Sequence, residues 1–414
     1  MSKRLRKSAA TPGEHLVCLH RMQLAGDIAR NVDAAWSDYF VPLDASLGKG
    51  PSGEFGQVML VRATPSADDG SRVRAQQTYA LKLLFKPPES DERERLALLL
   101  ELHHWAPKVA QYPRSLLRYV AGYRFLSDGQ RVDAILLDAV RGQSLERLIR
   151  EPRATVPLDQ WLFWMVDVLR ALEYLHALGI AHRDVKSGNV MVRDNGAEAV
   201  LIDLDLMCLP SSKFDECRTL CSTGKRSLMA VSPDVVCTGI AGSPYPSSAQ
   251  QYYRMDVWSC ASTFVSYLAH LVAFLPMRLH YDRKQRKWRQ CPLHQSMDEA
   301  DKTINIALMQ TFIESERYGS TVPESVRLLL ASMLQSQWQS RPSATECLRR
   351  IGAINGKLLT LRSAAERSDY LQQRNGIAPR EALQQRRELA PTPPLTPEQE
   401  AAYVDSDFEP YDVK

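Results

Sequence analysis

The segment His182-Arg183-Asp184-Val185-Lys186-Ser187-Gly188-Asn189 gathers a carboxylate, an ammonium and an amide in one short stretch. A little further on, Leu201-Ile202-Asp203-Leu204-Asp205 brings more carboxylates out of an apolar run. Asp184 can take the proton of an attacking hydroxyl. Lys186 can neutralise charge on a transferring phosphoryl group. Asn189 and Asp203 offer the hard oxygens that Mg²⁺ prefers, and that ion brings phosphates with it. Upstream lies Gly48-Lys49-Gly50-Pro51-Ser52-Gly53-Glu54-Phe55-Gly56-Gln57-Val58. Glycines let a backbone approach phosphates closely, with amide groups aimed at the charge. Two registers fit. Gly48, Gly50 and Gly53 satisfy G-x-G-x-x-G. Gly53, Phe55, Gly56 and Val58 match the second half of a longer loop with Pro51 at its first glycine, and this register is preferred. Taken alone, such a stretch is an ordinary turn.

Together these segments resemble the eukaryotic-type protein kinases, and the resemblance spans about residues 43–352 with its motifs in the family's order. It implies that Asp184 is the catalytic base. Asn189 and Asp203 would be the metal positions, and Lys186 the lysine typical of serine/threonine members. Tyr79-Ala80-Leu81-Lys82 resembles the VAIK strand, so Lys82 would grip the α- and β-phosphates. Its implied partner is Glu101, with Glu94 as the alternative two turns earlier. Gly48, Gly50, Gly53, Gly56 and Val58 would cover the nucleotide, and Asp138 and Val140 would contact it from the hinge. Asp256-Val257-Trp258-Ser259 resembles the start of the buried helix of the large lobe. Ser340-Arg341-Pro342-Ser343 resembles a late signature whose arginine would pair with Asp234.

The resemblance implies an α+β, bilobal fold, with a β-rich N-lobe and a mainly helical C-lobe. It implies an ATP-dependent serine/threonine protein kinase using Mg²⁺ (or Mn²⁺), acting on a protein substrate as a monomer. A catalytically dead scaffold is disfavoured because Lys82, Asp184, Asn189 and Asp203 are all present. A small-molecule phosphotransferase is disfavoured by the Asp256 helix start and the Arg341 signature. Two departures stand out: Asp205 replaces the usual glycine, and Ser227 and Ala230 fall where the segment before Asp234 aligns poorly. Arg183 would receive a phosphate on Thr219, Ser222 or Thr223.

Several elements must position these groups. A strand is expected at Val58–Val61, another at Tyr79–Phe85, and a helix from about Asp91 to His104. Leu116–Phe125 and Ala134–Val140 read as strands around the turn Ser127-Asp128-Gly129. Leu158, Trp161, Leu162, Met165, Leu169, Leu172 and Leu175 recur at helical spacing up to Gly179. Val190–Val192 and Val200–Ile202 are short strands. Three parts follow: an extension over 1–42, helical around Met22–Trp36; a kinase-like domain over 43–352, divided into an N-lobe at 43–138 and a C-lobe at 139–352; and a tail over 353–414. The tail is expected to be mostly disordered; its residues 363–414 are rich in Gln, Arg, Glu and Pro and are expected to be dispensable for catalysis.

Composition narrows the rest. The chain has 414 residues, with 52 basic against 48 acidic ones and a net charge of +4, a balance that speaks against nucleic acid as the main partner. Its eight cysteines form no CxxC pair, which points to free thiols in an intracellular compartment, cytoplasm or nucleus. The basic N-terminus runs into no apolar stretch of the secretory kind. Val257–Met277 carries no formal charge and has the length of a membrane span. Its serines, Thr263, His270 and Pro276 fit a buried helix better, so no membrane association is expected. His182 reads as a packing and hydrogen-bonding residue.

Overall fold

The computed structural model describes residues 29–44, 56–84, 112–150, 156–207, 249–271, 277–282, 287–292 and 322–388, apart from single positions 71, 128, 205 and 336. The smaller lobe is one sheet of six strands, with the short helix α1 (Trp36–Tyr39) before the second: β1 (Ala29–Val32), β2 (Phe40–Asp44), β3 (Gly56–Ala63), β4 (Thr78–Leu84), β5 (Tyr119–Ser127) and β6 (Gln130–Asp138). Their spatial order is β1-β5-β6-β4-β3-β2. Neighbours run antiparallel, except for the parallel pair β1–β5. Alternation in β4 sends Tyr79 and Leu81 into the lobe's core and leaves Ala80 and Lys82 half-buried on the other face. Tyr123 and Phe125 stack at 5.2 Å in that core, and Phe40 meets Tyr123 edge-on at 5.5 Å. The β5–β6 hairpin turns through Gly129, which takes φ +76° as a tight turn requires.

The larger lobe starts with β7 (Gly142–Ser144) and α2 (Leu145–Arg150), and is built around α3 (Leu158–Ala177). Every apolar position that the helical spacing marks from Trp161 to Leu175 is buried. So are Asp159, Gln160 and Asp167, which makes α3 a central helix covered on all sides. Gly179 ends it in the left-handed region, φ +81°. The hairpin of β8 (Val190–Arg193) and β9 (Ala199–Leu201) then pairs with β7.

Helix α4 (Ala249–Leu271) buries Val257, Trp258, Cys260, Ala261, Phe264 and Val265 in the same core. The hydroxyl of Ser259 donates to the Met255 carbonyl at 3.0 Å, so this buried hydroxyl of the uncharged stretch is satisfied inside the protein. No described helix is long and apolar enough to cross a membrane. A separate hairpin, β10 (Met277–Asp282) with β11 (Lys287–Pro292), follows. Helices α5 (Glu324–Met333) and α6 (Ala344–Ile354) complete the lobe, α6 being capped by Ser343 Oγ, which accepts from Glu346 N at 3.1 Å.

Two expectations are corrected at the ends. Residues 29–32 are a strand rather than part of a helix, because the outer edge of β5 offers them backbone partners. The tail is ordered as far as Glu388. It forms α7 (Lys357–Thr360), α8 (Ala364–Asn375) and α9 (Pro379–Glu388). Ser363 and Glu366 close a capping box at the start of α8, and Gly376 ends that helix at φ +72°. Residues 389–414 lie outside the described residues.

Gly142 opens β7 against the Val192 carbonyl of β8, and a Cβ there would collide with that backbone. Gly142→Ala is expected to cost about 1–3 kcal/mol, the range for overpacking a close contact. The measurement is the urea midpoint. An unchanged midpoint would show that β7 and β8 part without cost.

Candidate active site

Asp184 follows α3 through a turn anchored from below. The carboxylate of Asp256, on α4 and 1% exposed, accepts from His182 N at 2.8 Å and from Arg183 N at 2.7 Å. It also meets His176 Nε2 at 2.9 Å, at the end of α3. Burial alone would raise this carboxyl. The hydrogen bond and charge of His176, the charge of His182 and the Arg183 N–H outweigh burial and hold it below the usual carboxylate range. Arg183 is thereby kept at φ +71°, a conformation costly for a side chain of its kind. His182 is fully buried, and its Nδ1 accepts from Asp184 N at 3.2 Å, in keeping with a packing and hydrogen-bonding role.

Around Asp184 the bonding is lopsided. Oδ2 accepts from Lys186 Nζ at 2.7 Å and from Asn189 Nδ2 at 2.8 Å. Oδ1 takes no bond from a described residue. One carboxylate oxygen is thus fixed and the other is left for a proton donor. Asn189 gives its amide N–H groups to Asp184 Oδ2 and to the Asp184 carbonyl, also at 2.8 Å, so its side-chain oxygen is the acceptor that remains. Ile202 N donates to the Asn189 carbonyl at 2.8 Å, setting the residue before Asp203 against Asn189. Asp203 stands at φ +64°, a second strained backbone just after β9. Leu204, next to it, is fully buried in the core of the larger lobe, and its N–H donates to Tyr119 Oη of β5 at 3.1 Å. This bond ties the loop to the smaller lobe.

Asn189 and Asp203 therefore present an amide oxygen and a carboxylate from adjacent segments. That donor set fits a small hard cation such as Mg²⁺ or Mn²⁺. Lys82 lies in mid-β4, registered between Val58 on β3 and Ile135 on β6. Gly56 begins β3, two residues before the exposed Val58. At the end of β6, Asp138 pairs with Arg118 at 2.9 Å, and its N–H donates to the Arg118 carbonyl at 3.0 Å. Its carboxylate is therefore committed to the fold, and Val140 packs partly buried against the larger core. Gly48, Gly50, Gly53, Glu101 and Glu94 lie outside the described residues. So do Asp205, Thr219, Ser222, Thr223, Ser227, Ala230 and Asp234. Arg341 is buried and donates from Nε to the Gln335 carbonyl at 2.6 Å.

Sequence reasoning missed the roles of His176 and Tyr119, and saw Asp256 only as a helix start. Asp256 lies 80 residues beyond His176 and 74 beyond His182, and nothing local marks it as their partner.

Residues 46–350 match the family described as the protein kinase domain. Among curated relatives, serine/threonine-protein kinase WAG1 of Arabidopsis thaliana is 39% identical over 80 residues, 19% of this chain and 17% of the relative. A probable serine/threonine-protein kinase PknB of Bifidobacterium longum is 31% identical over 134 residues, 31% of this chain and 19% of the relative. CBL-interacting protein kinase 4 of Oryza sativa subsp. japonica is 30% identical over 150 residues, 36% of this chain and 30% of the relative. The chain thus spans less than a third of the length of each of these relatives. The family match covers most of the chain, and the fold is the two-lobed α+β arrangement that the motifs imply, so the chain belongs to the protein kinase family.

Proposed function

We propose that the protein is an ATP-dependent serine/threonine protein kinase, transferring the γ-phosphoryl group of ATP to protein hydroxyls. The observation that carries this reading is the Asp184 carboxylate, with Oδ2 held by Lys186 and Asn189 and Oδ1 taking no bond among the described residues. In the reaction, the substrate oxygen bonds to the γ-phosphorus, its proton passes to Asp184 Oδ1, and the bond to ADP breaks. Lys186 stays within reach of the charge that develops on the transferring group. A divalent ion on Asn189 and Asp203 supplies charge neutralisation at the phosphates when bound. ATP lies between the lobes, with the backbone of Asp138 and Val140 against its base, since the Asp138 side chain is taken by Arg118. The nucleotide-binding glycines, Glu101 as partner of Lys82, monomeric action and a cytoplasmic or nuclear location belong to the same reading.

The test is transfer of labelled phosphate from ATP to an arrayed peptide library, beside the Asp184→Asn chain. Labelled serine or threonine peptides with wild type alone support the reading, and tyrosine peptides alone would overturn its specificity. A chain that binds ATP but labels nothing would be a scaffold. Lys82→Met is expected to weaken ATP binding about 10- to 100-fold, the loss of one hydrogen bond to a charged group. Calorimetric titration measures this, and unchanged affinity would remove Lys82 from the nucleotide site.

A further inference from the structure

The protein kinase match ends at residue 350, yet the described chain continues as an ordered segment to Glu388. That segment reaches the back of the site. Arg367, on α8, is 1% exposed, an unusual place for a guanidinium. It forms a two-pronged ion pair with Asp167 of α3, at 2.7 Å on both oxygens. It also donates to the Leu361 and Ala197 carbonyls at 3.1 Å and lies over the Phe163 ring at 4.8 Å. The same Asp167 Oδ2 accepts from Ala199 N at 3.0 Å. Ala199 is the first residue of β9, the strand that delivers Ile202 and Asp203.

A second anchor lies beside the first. Gln160 Nε2 donates both to the Gly196 carbonyl, at 2.9 Å, and to the Pro379 carbonyl of α9, at 3.2 Å. Trp164 Nε1 donates to the same Gly196 carbonyl at 2.8 Å. A Cβ on Gly196 would stand 2.6 Å from Pro379 O, so α9 sits directly on the β8–β9 turn. Tyr370 packs edge-on against Phe163 at 5.9 Å, and Arg374 pairs with Asp159.

We propose that Arg367 is a positioning residue for the metal-binding loop: by orienting Asp167 it fixes Ala199, and through β9 it fixes Asp203. The segment 357–388 is then a working part of the catalytic lobe. This rests on reading Asp203 as a metal ligand. The mechanical half, Arg367 to Ala199, does not.

Buried charge is costly unless paired, and a one-sided loss strands the other partner. An arginine is needed here because only its planar fork meets both carboxylate oxygens while also reaching two carbonyls. Arg367→Lys should therefore behave as a loss rather than as a conservative change.

The experiment uses the full chain with three variants: Arg367→Gln, Arg367→Lys and the apolar pair Asp167→Leu with Arg367→Met. Three quantities are read: the melting midpoint, hydrogen exchange at the Ala199–Ile202 amides, and the Mg²⁺ concentration for half-maximal phosphate transfer. Both single variants are expected to lower the midpoint. They should also speed exchange and raise the Mg²⁺ requirement by about tenfold or more, the factor for one lost charge-assisted hydrogen bond. The apolar pair removes the stranded charge and is expected to recover part of the lost midpoint, short of wild type by the cost of one orphaned N–H. It leaves Ala199 N without its acceptor, so fast exchange and the high Mg²⁺ requirement should persist.

A lowered midpoint with exchange and Mg²⁺ dependence unchanged would overturn the proposal and leave Arg367 a stability residue. Restoration of all three quantities by the apolar pair would overturn it as well. Faster exchange with an unchanged Mg²⁺ requirement would uphold the mechanical link and overturn its connection to Asp203. If the wild-type chain transfers no phosphate, the functional reading fails by itself, and exchange at Ala199 alone decides the mechanical link.

Discussion

Asp184→Asn is expected to lower the turnover number about 10²- to 10⁴-fold, the usual share of a positioned general base. ATP affinity stays within about threefold, well under the tenfold that 1.4 kcal/mol would make. The geometry accounts for the separation. Asp184 Oδ2 is bonded to Lys186 and Asn189, and on the proposed reading Oδ1, unbonded among the described residues, faces a hydroxyl rather than the nucleotide. Asparagine is nearly isosteric, so the loop keeps its shape. It can still accept one bond through its oxygen, but its amide nitrogen cannot take a proton. With the oxygen turned to Lys186 and Asn189, the side facing the substrate becomes a donor, and a donor repels the hydroxyl proton. The check is single-turnover transfer from labelled ATP with calorimetric ATP binding on the same preparation. Turnover within threefold of wild type would show that the hydroxyl loses its proton elsewhere. A matching loss of ATP affinity would show that Asp184 acts on nucleotide binding.

Much of the site was legible because it is written in short continuous stretches. Asp184, Lys186 and Asn189 lie on one loop, and the hydrogen bonds among them span no more than five residues. The strands of the smaller lobe and the apolar spacing of α3 were legible for a similar reason, since burial imposes a period on neighbouring residues. What was hidden is what closes over distance. Asp256 reaches back 74 residues to His182 N, and Arg367 reaches back 200 residues to Asp167. The ordered tail was hidden for a different reason. Helix α8 reads AAERSDYLQQRN and offers almost no apolar stripe, because it is held by an arginine, a tyrosine and Leu371. Two signals were nevertheless present. Ser363 and Glu366 have capping-box spacing. Asp159, Gln160 and Asp167 also sit in an otherwise apolar helix, and buried polar groups of that kind require partners from elsewhere. At the other end, β1 is a four-residue parallel edge strand, too short for any period to show.

Asp256→Ala removes the acceptor that holds the catalytic loop's backbone, and its effect on stability is expected to be large. Two buried N–H groups, those of His182 and Arg183, lose their partner together. At about 1–3 kcal/mol for each orphaned donor, the loss is about 2–6 kcal/mol, a large share of the ~5–15 kcal/mol that holds a typical domain. Asp256→Asn should lose less, because one carbonyl oxygen remains to accept. The two variants differ from wild type in pH dependence as well. The folded-state pKa of Asp256 lies below that of an ordinary aspartate, because His176, His182 and the Arg183 N–H outweigh the effect of burial. A depressed carboxylate contributes stability above its unfolded pKa and loses it as pH falls through its folded pKa. Between those two values the unfolded chain binds more protons at this site, so stability rises with pH there. Urea midpoints measured from pH 3 to pH 7 should therefore fall more steeply toward acid in wild type than in Asp256→Asn. His176, His182 and Arg183 face position 256 in both chains, so the difference in slope reports the Asp256 carboxylate together with its bond to His176. Parallel curves for the two proteins would show that Asp256 is not held as an anion in the fold. The His182–Arg183 turn would then need another explanation for its φ of +71° at Arg183.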